Sequence, residues 1–287
     1  SSQEKIISRV EALRFLTDSF KKGILVCNIA ASRLILPSPN IFKDSIVKIT
    51  VGEEYDQHTF IHQLKEIGYR KVTQVQTQGE FSIRGDILDI FEMSQLEPFR
   101  IEFFGDEVDG IRTFEVETQL SKENQTELTI FPASDILLRE KDYLRGQSAL
   151  EKQISKTLSP ILKSYLEEIL SSFHQKQVHS DSRKFLSLCY DKTWTIFDYI
   201  EKDTPVFFDD YQKLMNHYEA FERELAQYFT EDLQNGKSFS DMQYFADTEQ
   251  TYKKQSPVTF FSNLQKGLGN LKFDHIYQFN QYPMQEF

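Results

Sequence analysis

The sequence predicts an α/β fold interrupted by an inserted α+β domain with an antiparallel sheet, and two observations carry that expectation. Apolar spacing is helical near both ends of the chain, beside short unbroken apolar runs, whereas from Val72 to Ile130 it changes to alternation in twos. Length sets the scale, because 287 residues exceed one ordinary core and point to about two domains.

Residues 1–44 form the first α/β portion. Glu4 to Phe20 predicts a helix, because Val10, Leu13, Leu16 and Phe20 fall on one stripe. Gly23 ends it, and the apolar run Ile24-Leu25-Val26-Cys27-Asn28 suits a strand covered on both faces. Pro37 and Pro39 then break the chain into a loop. Residues 45–132 form the inserted domain. It opens with a strand at Ile46 to Val51, and Asp56 starts a helix whose Phe60, Ile61, Leu64 and Ile67 share a stripe up to a stop at Gly68. Alternation predicts further strands around Phe81 and Ile83, from Ile87 to Phe91, through Phe99, Ile101 and Phe103, and through Val108, Ile111 and Phe114. Gly79, Gly85, Pro98, Gly105 and Gly110 supply the turns between them.

Residues 133–287 return to helical spacing. Pro160 to Phe173 carries Ile161, Leu162, Tyr165, Leu166, Ile169 and Leu170, and Tyr211 to Tyr228 carries Leu214, Met215, Tyr218, Phe221 and Leu225. Between them, Pro205-Val206-Phe207-Phe208-Asp209-Asp210 reads as a buried strand ending in carboxylates. Val258 to Phe261 and His275 to Phe279 read as two more strands of the parallel sheet that holds Ile24 to Asn28. The sheet domain is therefore expected between two halves of one α/β domain.

Composition excludes several classes. Hydrophobic residues at 39% and aromatics at 14% supply a core, so the chain is not globally disordered. No apolar run approaches a bilayer span and no signal pattern opens the chain, so no membrane is expected and the expected location is cytoplasmic. Cys27 and Cys189 sit in apolar surroundings and read as reduced core thiols, with no disulfide and no metal. A net charge of −11 opposes a broad electrostatic footprint on nucleic acid. The missing initial Met and the ending Met284-Gln285-Glu286-Phe287 lead us to expect a piece of a longer protein.

Two long motifs carry a family resemblance. The run Gly79-Glu80-Phe81-Ser82-Ile83-Arg84-Gly85-Asp86-Ile87-Leu88-Asp89-Ile90-Phe91, followed by Phe99-Arg100-Ile101-Glu102-Phe103-Phe104-Gly105-Asp106-Glu107-Val108-Asp109-Gly110-Ile111-Arg112, resembles the second domain shared by UvrB and the bacterial transcription-repair coupling factors (Mfd). The resemblance continues through Thr118-Gln119, Ile130-Phe131-Pro132-Ala133-Ser134 and Trp194-Thr195-Ile196-Phe197-Asp198-Tyr199, and so covers nearly the whole chain. It implies that the flanking portions are degenerate RecA-like (P-loop-type) pieces around a UvrA-binding domain.

Nucleotide chemistry separates the two relatives. A UvrB-type ATPase strand ends Asp-Glu-Ser-His, with the Asp holding Mg²⁺ and the Glu polarising the attacking water. Here the matching strand ends Asp209-Asp210-Tyr211-Gln212, and Asp is one methylene too short for that reach. The Ser-Ala-Thr coupling motif of the family is replaced by Phe261-Ser262-Asn263, and no phosphate-loop motif occurs in these residues, although one would lie upstream of Ser1. The resemblance therefore favours Mfd: a non-enzymatic segment with Asp209 and Asp210 at a degenerate Walker B position, no catalytic residue and no cofactor of its own. It implies that ATP, Mg²⁺, RNA polymerase and double-stranded DNA belong to the longer protein, an ATP-dependent DNA translocase.

Strand alternation places a candidate binding face. Phe81, Ile83, Ile101 and Phe103 point one way, leaving Ser82, Arg84, Arg100, Glu102 and Phe104 on the other. With only the Phe60-to-Ile67 helix to cover the sheet, that second face is expected to stay wet. An aromatic flanked by arginines is typical of interface centres, and the resemblance implies that Arg84, Arg100 and Phe104 contribute to UvrA binding. The competing reading buries Phe104 under a loop and pairs the arginines with Glu102, Asp86 or Asp106 in weak surface bridges. Eight Lys and Arg against seventeen Asp and Glu between Ser45 and Pro132 favour a protein partner over phosphates.

Other residues read more plainly. His58 and His62 have zinc-compatible spacing without a third ligand. Asp209 and Asp210 suit a cap on the following helix, Trp194 and Phe197 a core, and Lys253-Lys254 a solvated turn. Three functions follow in order: an adaptor that recruits UvrA to stalled RNA polymerase, a fragment of a UvrB-like helicase or excinuclease subunit, and a nucleic-acid-binding fragment.

Overall fold

The computed structural model describes residues 3–18, 22–179, 181–247, 257–262 and 274–277. Helix α1 (Gln3–Thr17) forms where the apolar stripe predicts it, with Val10 and Leu13 buried; Phe20 lies outside the described residues. Two short helices follow, α2 (Ile29–Ser32) and α3 (Pro39–Asp44). Pro39 is not a loop breaker, as expected, but the first residue of α3, behind the Ser38 cap. At that position the missing N–H costs nothing and the fixed φ suits a helix.

Strand β1 (Val47–Thr50) leads into α4 (Gln57–Glu66). Asp56 caps α4, its carboxylate accepting from the Thr59 N–H at 2.8 Å. Gly68 ends it at φ +97°, and a Cβ there would meet the Ser134 Cβ at 2.6 Å, so both backbone and space require glycine. Strands β2 (Arg70–Lys71), β3 (Glu80–Arg84), β4 (Ile87–Ile90), β5 (Phe99–Phe104), β6 (Glu107–Phe114) and β7 (Ser121–Gln125) then build one six-stranded sheet in chain order. Its pairs are antiparallel except β2 with β3. Strand β8 (Glu127–Ile130) returns to pair antiparallel with β1.

The inward face of this sheet is the main core. Phe81, Leu88, Ile90, Ile101, Phe103, Val108 and Ile111 pack with Phe60 and Leu64 of α4. The same cluster takes in Val10 and Leu13 of α1 and Ile41 and Phe42 of α3, so more than one helix covers the sheet. Asp135, 2% exposed, ties the pieces together by accepting from Arg9 of α1 and from Arg183 in the short turn Ser182–Phe185.

After this junction come α5 (Glu140–Lys156), α6 (Pro160–His174), α7 (Leu186–Cys189) and, beyond strand β9 (Val206–Phe208), the long α8 (Tyr211–Gln234). Tyr143, Leu150, Leu166, Ile169, Phe173, Phe185 and Cys189 form a second core. Burial there pushes the Cys189 thiol up to about 12, so it is a packed thiol rather than a nucleophile. Helix α5 was not anticipated from the sequence, although Tyr143, Leu150 and the half-buried Ile154 mark its inner side.

The expected parallel sheet is largely absent among the described residues. Strand β10 (Val258–Phe260) pairs parallel with β9, but this is a two-stranded sheet. Ile24 to Asn28 is an exposed irregular segment with Ile24 and Val26 about nine-tenths exposed, and Cys27 is exposed, not a core thiol. Asn28 instead caps α2 by accepting from the Ala31 N–H. Residues 275–277 are likewise exposed and irregular, while 278–279 lie outside the described residues. Nor is β9 buried, since Phe207 is 60% exposed and stacks on Phe261. An unbroken apolar run states that a strand can be buried on both faces; neighbouring strands must then be present to bury it. No described helix is long and apolar enough to cross a membrane.

Candidate protein-binding face

The register of the sheet assigns every side chain in the middle strands to a face. Phe81 pairs with Ile90 and Ile83 with Leu88, while Leu88 pairs with Ile101 and Ile101 with Ile111, which defines the core side. The other side carries one row of Ser82, Asp89, Arg100 and Arg112, and a second row of Arg84, Ile87, Glu102 and Gly110. Phe104 lies one step further along β5, opposite Glu107 and just before the Gly105 turn. A register shift between Glu102 and Phe103 leaves the inward–outward assignment of the two phenylalanines intact. Phe103 is 5% exposed and packs on Phe60, whereas Phe104 is 81% exposed.

Arg84, Arg100 and Phe104 thus share one face, but they are not equally open. The Arg84 side chain is half exposed, and its Nη2 donates to Asp89 Oδ2 at 2.7 Å. The Arg100 side chain is only 14% exposed. It donates from Nε and Nη2 to both oxygens of Asp89, at 2.7 and 2.9 Å, and from Nη1 to the Gln119 carbonyl at 3.2 Å. Its guanidinium also lies over the Phe114 ring, 4.7 Å from the centroid. The hydrogen bonds that Arg100 donates to Asp89 raise its pKa above the ordinary value.

Two expectations need correction. The arginines pair with Asp89, not with Glu102, Asp86 or Asp106; Glu102 is bonded to Arg112 instead. The outward face is also not wet throughout. Val75, Phe91 and Phe114 form a small buried cluster at one end, with Val72 and Val116 against it, and Arg100 borders that end. The open part is the opposite end, where Arg84, Glu102 and Phe104 stand next to the two hairpin turns. Asp89 was the residue missed, although its place between Leu88 and Ile90 already put it on the outward side.

The remaining candidates disperse. Asp209 is exposed, and Asp210, at φ +47°, accepts from the Lys213 N–H at the start of α8. Phe261 and Ser262 are exposed beside β10, and Asn263 lies outside the described residues. His58 and His62 are both exposed, His62 facing Glu66 at 3.5 Å, and no described group of three ligands could hold a metal. Trp194 is half-buried against the cluster of Ile35, Leu186 and Tyr190, with the Lys192 ammonium 3.6 Å from its ring centroid. Lys253-Lys254 lies outside the described residues.

The sheet and the arginine–phenylalanine face lie within the residues that a family model matches. Residues 47–135 match the family model described as the UvrB interaction domain. Along its entire length the chain is similar to transcription-repair-coupling factors. It is 31% identical over 296 residues to that of Staphylococcus haemolyticus, 29% over 294 to one of Staphylococcus aureus, and 28% over 296 to that of Bacillus subtilis. Each match covers 100% of this chain and 25% of the relative, so the chain spans about a quarter of the length of these proteins.

Proposed function

We propose that this segment is an adaptor that binds UvrA through Arg84, Arg100 and Phe104, and that in a longer protein it recruits UvrA to stalled RNA polymerase for nucleotide excision repair. The observation that carries the reading is Phe104, a large aromatic 81% exposed on β5, on the same sheet face as the half-exposed Arg84 and within the residues that match the UvrB interaction domain. Such anchors concentrate binding energy when a partner removes them from water. The remaining RNA polymerase contacts, double-stranded DNA contacts and ATP-driven translocation are assigned to parts of the longer protein outside these residues. The flanking portions, in this reading, are remnants of a RecA-like domain.

Calorimetric titration of the chain with its cognate UvrA tests the reading. Arg84→Ala is expected to weaken binding at least about tenfold while costing at most about 1 kcal/mol of stability, because its bridge is half exposed and screened. Added salt should shrink the Arg84→Ala effect more than the Phe104→Ala effect, since charge is screened over about 8–10 Å and apolar burial is not. Parent-like affinity in Arg84→Ala and Phe104→Ala together would move the site elsewhere.

The same reading assigns no nucleotide site to the segment. Asp210, at the position that would follow a magnesium ligand, is engaged in capping α8. Mg-ATP is expected to leave the melting temperature unchanged, although a ligand at 100 times its Kd would add about 2.7 kcal/mol. A reproducible shift that disappears in Asp209→Ala would instead favour a UvrB-like helicase subunit.

A further inference from the structure

We propose that Asp89 is a positioning residue for the UvrA-binding face: it holds the Arg84 guanidinium in place, and fixes Arg100 beside it, before the partner arrives. The inference rests on the UvrA reading above and extends it to a residue that touches no partner itself. Asp89 is 1% exposed on the outward side of β4, yet the described hydrogen bonds to its carboxylate all come from these two guanidiniums. Ser82 stands directly opposite on β3, and its buried hydroxyl has no hydrogen-bond partner. The carboxylate is thus committed to the arginines and caps no strand or turn.

Stability alone does not call for this arrangement. A buried ion pair is often replaceable by apolar side chains without loss, so its value lies in the geometry it imposes. Arg100 uses its fork on both carboxylate oxygens and packs over Phe114, so it is held at both ends of the fork and on one face. Arg84 spends one nitrogen on Asp89, and its side chain remains half exposed on the face that carries Phe104. A long side chain ordered only on binding lowers affinity on the order of 2- to 10-fold, and the Asp89 anchor removes that loss in advance.

The test is a double-mutant cycle on UvrA binding by the 287-residue chain, with thermal melts to verify folding. Asp89→Asn keeps the shape of the side chain and removes its charge. It is expected to weaken UvrA binding by about 5- to 10-fold in the parent and in Phe104→Ala, and by a clearly smaller factor in Arg84→Ala. A residue that only supports the fold would multiply with Arg84→Ala as fully as with Phe104→Ala, and that result overturns the proposal, as does parent-like binding by Asp89→Asn. Should Asp89→Asn fail to fold, Asp89→Glu, which keeps the charge but moves it by one methylene, replaces it in the same cycle: a loss of binding that shrinks in Arg84→Ala supports positioning, and parent-like binding or a loss undiminished in Arg84→Ala overturns it. Loss of binding in Phe104→Ala and Arg84→Ala with none in Asp89→Asn refutes this inference alone. Parent-like binding in both of those variants refutes the UvrA reading and this inference with it.

Discussion

Phe103→Ala is expected to cost about 3–5 kcal/mol of stability, whereas Phe104→Ala, one residue on, should change it by at most about 0.5 kcal/mol. Phe103 is 5% exposed and packs against Phe60 under α4, so truncation opens a cavity at the centre of the main core. Phe104 leaves solvent behind when removed, because four-fifths of its surface already meets water. Its loss should appear in UvrA affinity, by about 2 kcal/mol or more. Urea unfolding of the two variants beside calorimetric titration separates the effects. An unfolded Phe104→Ala with an intact Phe103→Ala would invert the faces of β5 by one residue.

Arg100→Ala should behave unlike Arg84→Ala. Its side chain is largely buried, and removing it strips two of three hydrogen bonds from a carboxylate that is 1% exposed. Breaking charge-assisted bonds while leaving the acid buried is expected to cost about 2–3 kcal/mol, moderated by the Arg84 bond that remains. Lost packing on Phe114 acts in the same direction. Arg100→Ala should therefore lower both stability and UvrA affinity, and the urea midpoint is the measurement. A midpoint equal to the parent would show that the Asp89 ladder is not a unit. The outward arginines are consequently two kinds of residue: Arg84 is half exposed at the surface, and Arg100 is largely buried among its partners.

Much of the inserted sheet was legible because its signals are local. Alternation at Phe81, Ile83, Ile101 and Phe103 is a property of pleated backbone, and Asp56, Gly68, Gly85 and Gly105 mark a cap, a helix stop and two turns by their own chemistry. The same alternation correctly put Arg84, Arg100 and Phe104 on one face. It carries no information on depth, so it could not separate the covered end of that face, under Phe91 and Phe114, from the open end at Phe104. The partner of the arginines was also undetermined. Diagonal and direct cross-strand neighbours are chosen by register, and only the register brought Asp89 within 2.7 Å of both.

By itself, then, the sequence determined the helices and strands whose stabilising contacts lie within a few residues or across one turn, together with the side each strand residue faces. Tertiary structure alone decided whether Ile24 to Cys27 and Phe207 had neighbours to bury them, and left them exposed. It also decided that Asp135 would join α1 to the later helices, and that Asp89 would gather two arginines. The physical reason is the same in each case. Propensity and periodicity act through the backbone near a residue, whereas burial and ion pairing depend on which distant elements arrive beside it.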